Sequence, residues 1–251
     1  MAGHSKWSQI KRKKAAEDNK RGKLFGKLIR EVTVAAREGG GDPDGNPWLR
    51  TAIDNAKAAN MPKDNIEKAI LRGTGELPGV SLEEVTYEGY GPAGVAILVQ
   101  AVTDNTNRTV ADIRRALERQ GGNLGRDGSV AWNFERKGQL LIDAGRYDEV
   151  AALEAALEAG ADDLQREGDA YVVITDPASF HAVQAELRRR KIDLLEARLV
   201  MLPKTTIRVE GREAEKLIAL LETLEDQDDV QHVYSNLDID DALLAELAGA
   251  G

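Results

Sequence analysis

The first 37 residues carry an unusual concentration of positive charge. They contain 11 lysines and arginines but only 3 acidic residues. Clustered cations beside a polyphosphate release its condensed counterions, so each phosphate contact adds affinity that salt weakens. Trp7 lies in the same segment and could stack on a base. The segment therefore predicts contact with nucleic acid. The alternative is a solvated basic face, with Trp7 folded back onto the helices.

The candidate contacts are the basic, histidine and tryptophan side chains between positions 4 and 30. They are His4, Lys6, Trp7, Lys11, Arg12, Lys13, Lys14, Lys20, Arg21, Lys23, Lys27 and Arg30. From residue 19 to residue 37 the apolar residues recur with helical period, and at about 100° per residue they cover one arc of the helix. The basic residues fall on the opposite side. A helix with one packed face and one cationic face is predicted here.

Two further helices complete a small domain. Gly39, Gly40 and Gly41 end the first helix, and Asn46 is placed to cap a second helix that begins at Pro47. Pro62 opens a third helix, which Gly73 closes. The predicted helical domain, residues 1–75, has a net charge of +7, whereas the remainder has −16 and the whole chain −9. The positive charge is thus confined to one end of the chain.

After Gly73 the periodicity changes from helical to extended. Strands are predicted at 85–90 and 95–102, joined by a hairpin, and a helix at 109–120 precedes a strand at 129–134. Residues 138–203 then read strand, helix, strand, strand, helix, strand, the ferredoxin-like order. The flanking segments, without that stretch, give the same order. The prediction is an α+β protein: an N-terminal three-helix domain followed by two ferredoxin-like (βαββαβ) units, the second inserted in the first.

The corresponding domain boundaries follow from these elements. The predicted parts are a basic helical nucleic-acid-binding domain at 1–75, a ferredoxin-like α/β domain at 80–137 plus 204–238, an inserted ferredoxin-like α/β domain at 138–203 and an acidic tail at 239–251.

Several motifs have a simpler structural explanation than a ligand site. Gly89–Gly94 matches G-x-G-x-x-G, but a strand follows where a dinucleotide site needs a helix, so a hairpin turn is favoured. Asn105 either caps the following helix or binds an anion, and capping is favoured. The run at 188–191 either complements a helix C-terminus or contacts a second phosphate. Trp132 and Phe134, two apart in a predicted strand, are expected in the core.

Composition excludes other classes of protein. The chain has no cysteine, which removes disulfides, thiol nucleophiles and cysteine-rich zinc sites. No apolar run is long enough for a membrane helix, and no secretory signal precedes the basic segment. No spacing of nucleophile, base and orienting group indicates an enzyme. We therefore expect a cytoplasmic, non-enzymatic protein without cofactor, bound metal, small-molecule substrate or membrane contact, and the oligomeric state remains open.

Four blocks of residues resemble the YebC/PmpR family. They are Met1–Trp7, Asn60–Ile66, Tyr87–Gly94 and Gly128–Phe134, and they occur in the family's order within a match from Met1 to Asp238. The resemblance implies a helical N-terminal domain followed by two α/β domains. It further implies a cytoplasmic DNA-binding transcriptional regulator, as bacterial members are usually described. Mitochondrial relatives are translational activators, and some bacterial members are linked to ribosomes and proline-rich synthesis.

Two nucleic-acid targets follow from these features. The leading hypothesis is a DNA-binding transcriptional regulator that grips phosphates through residues 4–37. The alternative is a translation factor that docks the same cations on ribosomal RNA. A protein-interaction scaffold is the reading that needs no nucleic acid. Phosphate contacts alone carry no sequence information, so the charge pattern does not choose between DNA and RNA.

Overall fold

A computed structural model describes residues 19–239, with side chains from residue 22 onward. It has the predicted α+β class, with an N-terminal helical region followed by antiparallel sheets, and it divides into two compact units. Over the described residues, the first unit combines 19–30 with Pro78–Glu135 and 202–239. The second combines Glu31–Leu77 with Arg136–Met201. The boundaries predicted for the separate domains stay a prediction.

The described helices and strands are numbered here in chain order. They are α1 (Asn19–Gly39), α2 (Pro47–Ala58), α3 (Lys63–Gly73), β1 (Glu83–Tyr90), β2 (Ala96–Thr103), α4 (Thr106–Arg119), β3 (Asn123–Leu124), β4 (Phe134–Asp143), α5 (Glu149–Glu158), β5 (Asp163–Glu167), β6 (Ala170–Thr175), α6 (Phe180–Arg189), β7 (Leu194–Pro203), β8 (Ile207–Arg208), α7 (Gly211–Glu225), β9 (Val230–Ser235) and β10 (Leu237–Asp238). Short 3₁₀ turns lie at Pro92–Gly94 and Ala131–Asn133. None of the described helices is long and apolar enough to cross a membrane.

The first unit contains a four-stranded sheet in the order β3-β1-β2-β9. All three strand pairs are antiparallel, and the turn at Pro92–Gly94 connects β1 to β2 as the sequence predicts. Helices α4 and α7 contribute apolar side chains to the same core as the sheet, including Ile113 and Leu117 from α4 and Leu217 and Leu221 from α7. Strands β8 and β10 form a separate parallel pair.

The second unit contains a sheet in the order β5-β6-β4-β7 and a helical region. Leu140, Val173, Phe180 and Leu187 are buried in one core with the helices α5 and α6. In the helical region Asn46 caps α2 by accepting a hydrogen bond from the Leu49 amide at 3.0 Å. Its side-chain nitrogen also donates to two carbonyl oxygens near the end of α1. One buried amide thus fixes the turn between α1 and α2.

The prediction for Ser129–Phe134 is wrong. The segment forms a 3₁₀ turn, and strand β4 begins only at Phe134. The chain curls because the buried Glu88 carboxylate accepts hydrogen bonds from the amides of Gly128, Val130 and Ala131, at 2.6, 2.6 and 2.8 Å. A straight strand could not direct three amides from four neighbouring residues at one side chain.

The expectation that Trp132 lies in the core is wrong for the same reason. In the 3₁₀ turn the Trp132 side chain is 66% exposed. Its indole Nε1 donates to the Ser129 carbonyl oxygen at 2.9 Å, and Lys204 Nζ donates to the Trp132 carbonyl oxygen at 3.1 Å. These contacts hold the turn and the exposed ring in place. Phe134 itself is buried, as predicted.

Candidate nucleic-acid interface

The predicted contact residues fall into three groups in the structure. The first seven lie outside the described residues: His4, Lys6, Trp7, Lys11, Arg12, Lys13 and Lys14. Lys20 and Arg21 belong to the first turn of α1. Lys23, Lys27 and Arg30 follow on α1, and their side chains are described. These last three are called the basic face below.

The spacing of the basic face places its members together. Positions four and three residues apart on an α-helix lie on the same side, so residues 23, 27 and 30 form one row. Leu28 and Val32 are buried, which fixes the rotation of α1 about its axis. Of the residues predicted on the apolar side, Leu28, Val32, Ala35 and Ala36 are buried as expected, whereas Leu24 is 46% exposed. The predicted packed side is thus confirmed from Leu28 onward.

The basic face contacts an acidic turn at the end of α7. This turn, Glu225–Asp229, has four carboxylates among five residues and is called the acidic turn below. Lys23 Nζ donates to the Asp226 carbonyl oxygen at 3.1 Å, and Lys27 Nζ to the Glu225 carbonyl oxygen at 2.6 Å. Lys23 Nζ also lies 3.6 Å from the carboxylate oxygen Oδ1 of Asp226. The cations therefore meet both main-chain and side-chain oxygens.

Arg30 makes the innermost of these contacts. Its Nη1 donates to the Asp228 carbonyl oxygen at 2.6 Å, and its Nη2 lies 3.6 Å from Oδ1 of Asp229. The side chains of Arg30 and Asp229 are 25% and 13% exposed, whereas those of Lys23 and Asp226 are 48% and 72% exposed. Burial thus increases along the basic face from Lys23 to Arg30.

The position of the acidic turn adds to the attraction. The last carbonyl groups of a helix have no partner within the helix and carry the negative end of its dipole. Lys27 binds the carbonyl of the final residue of α7, and Lys23 binds the next carbonyl. The basic face therefore caps α7 while it neutralises the turn.

Asp229 is the part of the acidic turn most firmly held by the rest of the first unit. Its Oδ2 accepts hydrogen bonds from Arg108 at 2.8 Å, Thr109 at 2.8 Å and Thr103 at 3.1 Å. Partial burial opposes ionisation, but the hydrogen bonds from Arg108, Thr109 and Thr103 lower the pKa of the Asp229 carboxyl below its usual value. Asp229 is therefore a charged structural residue that joins β2, α4 and the acidic turn.

Asn105 caps α4 by accepting a hydrogen bond from the Arg108 amide at 3.1 Å, which confirms the favoured interpretation. Arg108 pairs with Asp104 and Asp229, which lie 2.7 and 2.8 Å from its Nη2. The alternative role of this segment as an anion site has no support from these contacts, because the guanidinium already bridges two carboxylates.

The second basic run behaves differently. Arg188, Arg189 and Arg190 are called the arginine cluster below, and each is paired with a carboxylate of the second unit. Arg189 Nη2 and Arg190 Nε both lie 2.7 Å from Glu186, whose pKa these hydrogen bonds lower to about 2. Arg188 pairs with Asp54, and Arg190 also pairs with Glu158. The cluster sits at the end of α6, as predicted.

Sequence reasoning missed the acidic turn as a partner of the basic face. The signal was present, because residues 225, 226, 228 and 229 form the densest run of acidic residues directly after a predicted helix. Its significance depends on a contact about two hundred residues away in sequence, which helical periodicity does not reveal.

Comparison with known proteins identifies the family. A family described as the TACO1/YebC protein N-terminal domain matches residues 5–76. A second, described as the TACO1/YebC second and third domain, matches residues 82–237. The chain belongs to the TACO1/YebC family. The resemblance read from the four sequence blocks is thereby confirmed.

Curated relatives in this family are similar over nearly their full length. A protein of Gemmatimonas aurantiaca is 57% identical over 246 residues, which are 98% of this chain and 100% of the relative. One from Desulforapulum autotrophicum is 55% identical, covering 96% of this chain and 98% of the relative. Both are named probable transcriptional regulatory proteins.

A crystal structure in the comparison supports the fold. It is that of a conserved hypothetical protein from Aquifex aeolicus, with a TM-score of 0.85 and 46% sequence identity. The match covers 89% of this chain and 92% of that chain. The α+β fold is thus shared with a solved relative.

Proposed function

We propose that this protein is a non-enzymatic, cytoplasmic regulator of gene expression that binds nucleic acid, most directly as a DNA-binding transcriptional regulator. The observation that carries the proposal is the segregation of charge: 11 cations against 3 acids in residues 1–37 of a chain whose net charge is −9. A polyanion would be attracted to one end and repelled by the other. The names of the curated relatives support the regulatory part of the proposal.

The proposed contacts to phosphate begin at His4 and continue to Arg30. The segment before α1 supplies five of the ten lysines and arginines in this set, and Lys20, Arg21 and the basic face supply the other five along the helix. Contacts of this type position a protein on a duplex but do not read its sequence. Specificity would then come from the shape of the nucleic acid or from other parts of the protein.

A charge-reversal experiment tests this proposal. The variant Lys11→Glu, Arg12→Glu, Lys13→Glu, Lys14→Glu is compared with a control that reverses four exposed cations on α4 and α7, namely Arg114, Arg119, Arg212 and Lys216. Both variants change the net charge equally. Binding to a short fluorescent DNA duplex is measured by anisotropy over a range of salt concentrations.

We expect the N-terminal variant to lose at least about a hundredfold in affinity at low salt, because about four phosphate contacts disappear and the salt dependence decreases accordingly. The control should retain binding and the original salt dependence to within a few-fold. Equal losses in the two variants would show that only total charge matters and would overturn the proposal, as would salt-insensitive binding of the unchanged protein.

The second candidate function is a translation factor that binds ribosomal RNA. It is supported by the same observation, since cations that grip phosphate do not distinguish DNA from RNA. Sedimentation with ribosomes at low and high salt, run beside the DNA titration, separates the two. Salt-sensitive co-sedimentation together with weak duplex binding would favour the translation factor, and the reverse pattern would favour the transcriptional regulator.

A further inference from the structure

The basic face and the acidic turn form a contact whose chemistry resembles the one proposed for nucleic acid. Three cations of α1 meet a short segment with four carboxylates and two helix-end carbonyls. Negatively charged oxygens spaced along a chain are also what a phosphate backbone offers. The acidic turn therefore occupies positions on α1 that phosphates would otherwise use.

We propose that the acidic turn is an intramolecular competitor of nucleic acid: it covers the basic face in the free protein, and a bound nucleic acid displaces it. This inference rests on the proposed function, because it needs the basic face to be part of the nucleic-acid contact. The cations before α1 then make the first contact, and the basic face joins after the turn has moved.

The contacts of the acidic turn become less exposed from its outer to its inner end, and this gradient would allow the outer part to be displaced. The outer pair, Lys23 with Asp226, is largely exposed, and exposed ion pairs contribute little because water and salt screen them. The inner end is held by Asp229, whose Oδ2 is bound by α4 and β2, whereas Arg30 of α1 approaches its other oxygen, Oδ1. Residues 225–228 can therefore leave the basic face while Asp229 keeps the chain attached to the first unit.

The competition has a predictable size. A protein whose binding-competent form is a small fraction of the total binds its ligand more weakly by that fraction. Together, the hydrogen bonds and ion pairs that Lys23, Lys27 and Arg30 make with the turn favour the covered form by a factor of about ten, given the modest strength of partly exposed charge contacts. Weakening the turn should therefore raise the affinity for nucleic acid by up to about tenfold.

The first test neutralises the turn without touching Asp229. Asp226→Asn with Asp228→Asn is compared with Glu118→Gln with Glu215→Gln, which makes the same charge change at exposed positions on α4 and near the start of α7. We expect the turn variant to bind a short DNA duplex about three- to tenfold more tightly than the unchanged protein, and the control to bind within about twofold. Equal gains in the two variants would overturn the proposal.

The second test fixes the turn in place. The chain has no cysteine, so Lys23→Cys with Asp226→Cys introduces the only pair of thiols. This variant is joined by a short bismaleimide or, as its matched control, capped with a monofunctional maleimide. We expect the joined form to bind the duplex several-fold more weakly than the capped form. Equal binding would overturn the proposal, because the turn would then not need to move.

The outcomes distinguish this inference from the proposed function. If the reversal at residues 11–14 abolishes binding while joining the turn to α1 has no effect, the proposed function stands and the competition is wrong. If the unchanged protein binds neither the DNA duplex nor ribosomal RNA, the proposed function fails and the competition fails with it.

Discussion

The basic face of α1 and the arginine cluster of α6 are both basic clusters on helices, but they bind different kinds of oxygen. The arginine cluster is paired with side-chain carboxylates, two of its members with Glu186 on the same helix. The basic face instead binds mostly main-chain oxygens of a distant turn. Local pairs form wherever the helix forms, whereas a contact with a turn depends on where that turn lies. Two basic clusters with similar charge can thus differ in their partners: one is paired with side-chain carboxylates, and the other contacts a turn that we propose nucleic acid displaces.

The two helices also differ in how the surroundings shift the pKa of a glutamate on each of them. Glu31 follows the basic face on α1, and burial together with the nearby Glu196 carboxylate raises its pKa to about 7, although Arg198 opposes the shift. Glu186 on α6 has its pKa lowered to about 2 by Arg189 and Arg190. Charge is therefore unfavourable at residue 31 and favourable at residue 186, so the two helices respond to pH with opposite signs.

The largest expected effect concerns Glu31. Because its pKa is higher in the folded state, the folded protein holds a proton that the unfolded chain releases, and stability falls as pH rises from about 4.5 to about 7. Glu31→Gln should remove this loss and increase the free energy of unfolding by up to about 3 kcal/mol above that range. Urea unfolding at a series of pH values measures it. If Glu31→Gln left the pH dependence of stability unchanged, Glu31 would not be the group responsible for it.

The next effect concerns the residue that holds the acidic turn. Asp229→Ala leaves Thr103, Thr109 and Arg108 without their shared acceptor, so we expect a loss of about 2 kcal/mol in the free energy of unfolding. The matched change at a partner of the arginine cluster is Glu158→Ala, which removes one exposed carboxylate from Arg190 and should cost about 0.5 kcal/mol or less. Similar losses in the two variants would remove the distinction between the clusters.

Neutralising the basic face should weaken DNA binding, whereas neutralising the arginine cluster should not. Lys23→Gln, Lys27→Gln and Arg30→Gln together should weaken binding to a DNA duplex by about tenfold at low salt, because phosphate contacts are lost while competition by the turn is relieved. Arg188→Gln, Arg189→Gln and Arg190→Gln together change the charge equally and should leave the affinity within about twofold. If both triple variants lose affinity equally, the basic face is not a specific part of the interface.

The smallest effect is expected at Glu186. Its lowered pKa means that its contribution to stability is present above the usual carboxyl value of 4.5 and is lost as pH falls towards about 2. Glu186→Gln should therefore slightly lower the urea midpoint near neutral pH and leave it unchanged in strong acid. A larger change than that of Asp229→Ala would contradict the view that the arginine cluster contributes less to stability than Asp229 does.

Local sequence signals predicted much of this structure. Asn46, Pro47 and Asn105 are caps and first-turn residues whose roles depend only on their neighbours, and the structure confirms them. The hairpin at Gly91–Gly94 and the two faces of α1 follow from turn residues and periodicity in the same way. In each case the interacting atoms lie within a few residues of one another.

The features that the sequence did not reveal depend on distant partners. Trp132 is exposed because the amides around it bind Glu88, some forty residues earlier, and alternation of apolar residues cannot show that. The basic face meets the acidic turn only because the elements between them bring the two ends of the first unit together. Charge pattern located the candidate interface, whereas its internal partner required the structure.

Mapping the nucleic-acid contacts by photocrosslinking tests the central claim most directly. The full chain is irradiated with a DNA duplex and, separately, with ribosomal RNA, and the crosslinked peptides are identified by mass spectrometry. We expect the crosslinks to concentrate between His4 and Arg30, with few or none in the acidic α/β parts. Crosslinks confined to residues after position 78, with none in the cationic segment, would contradict it.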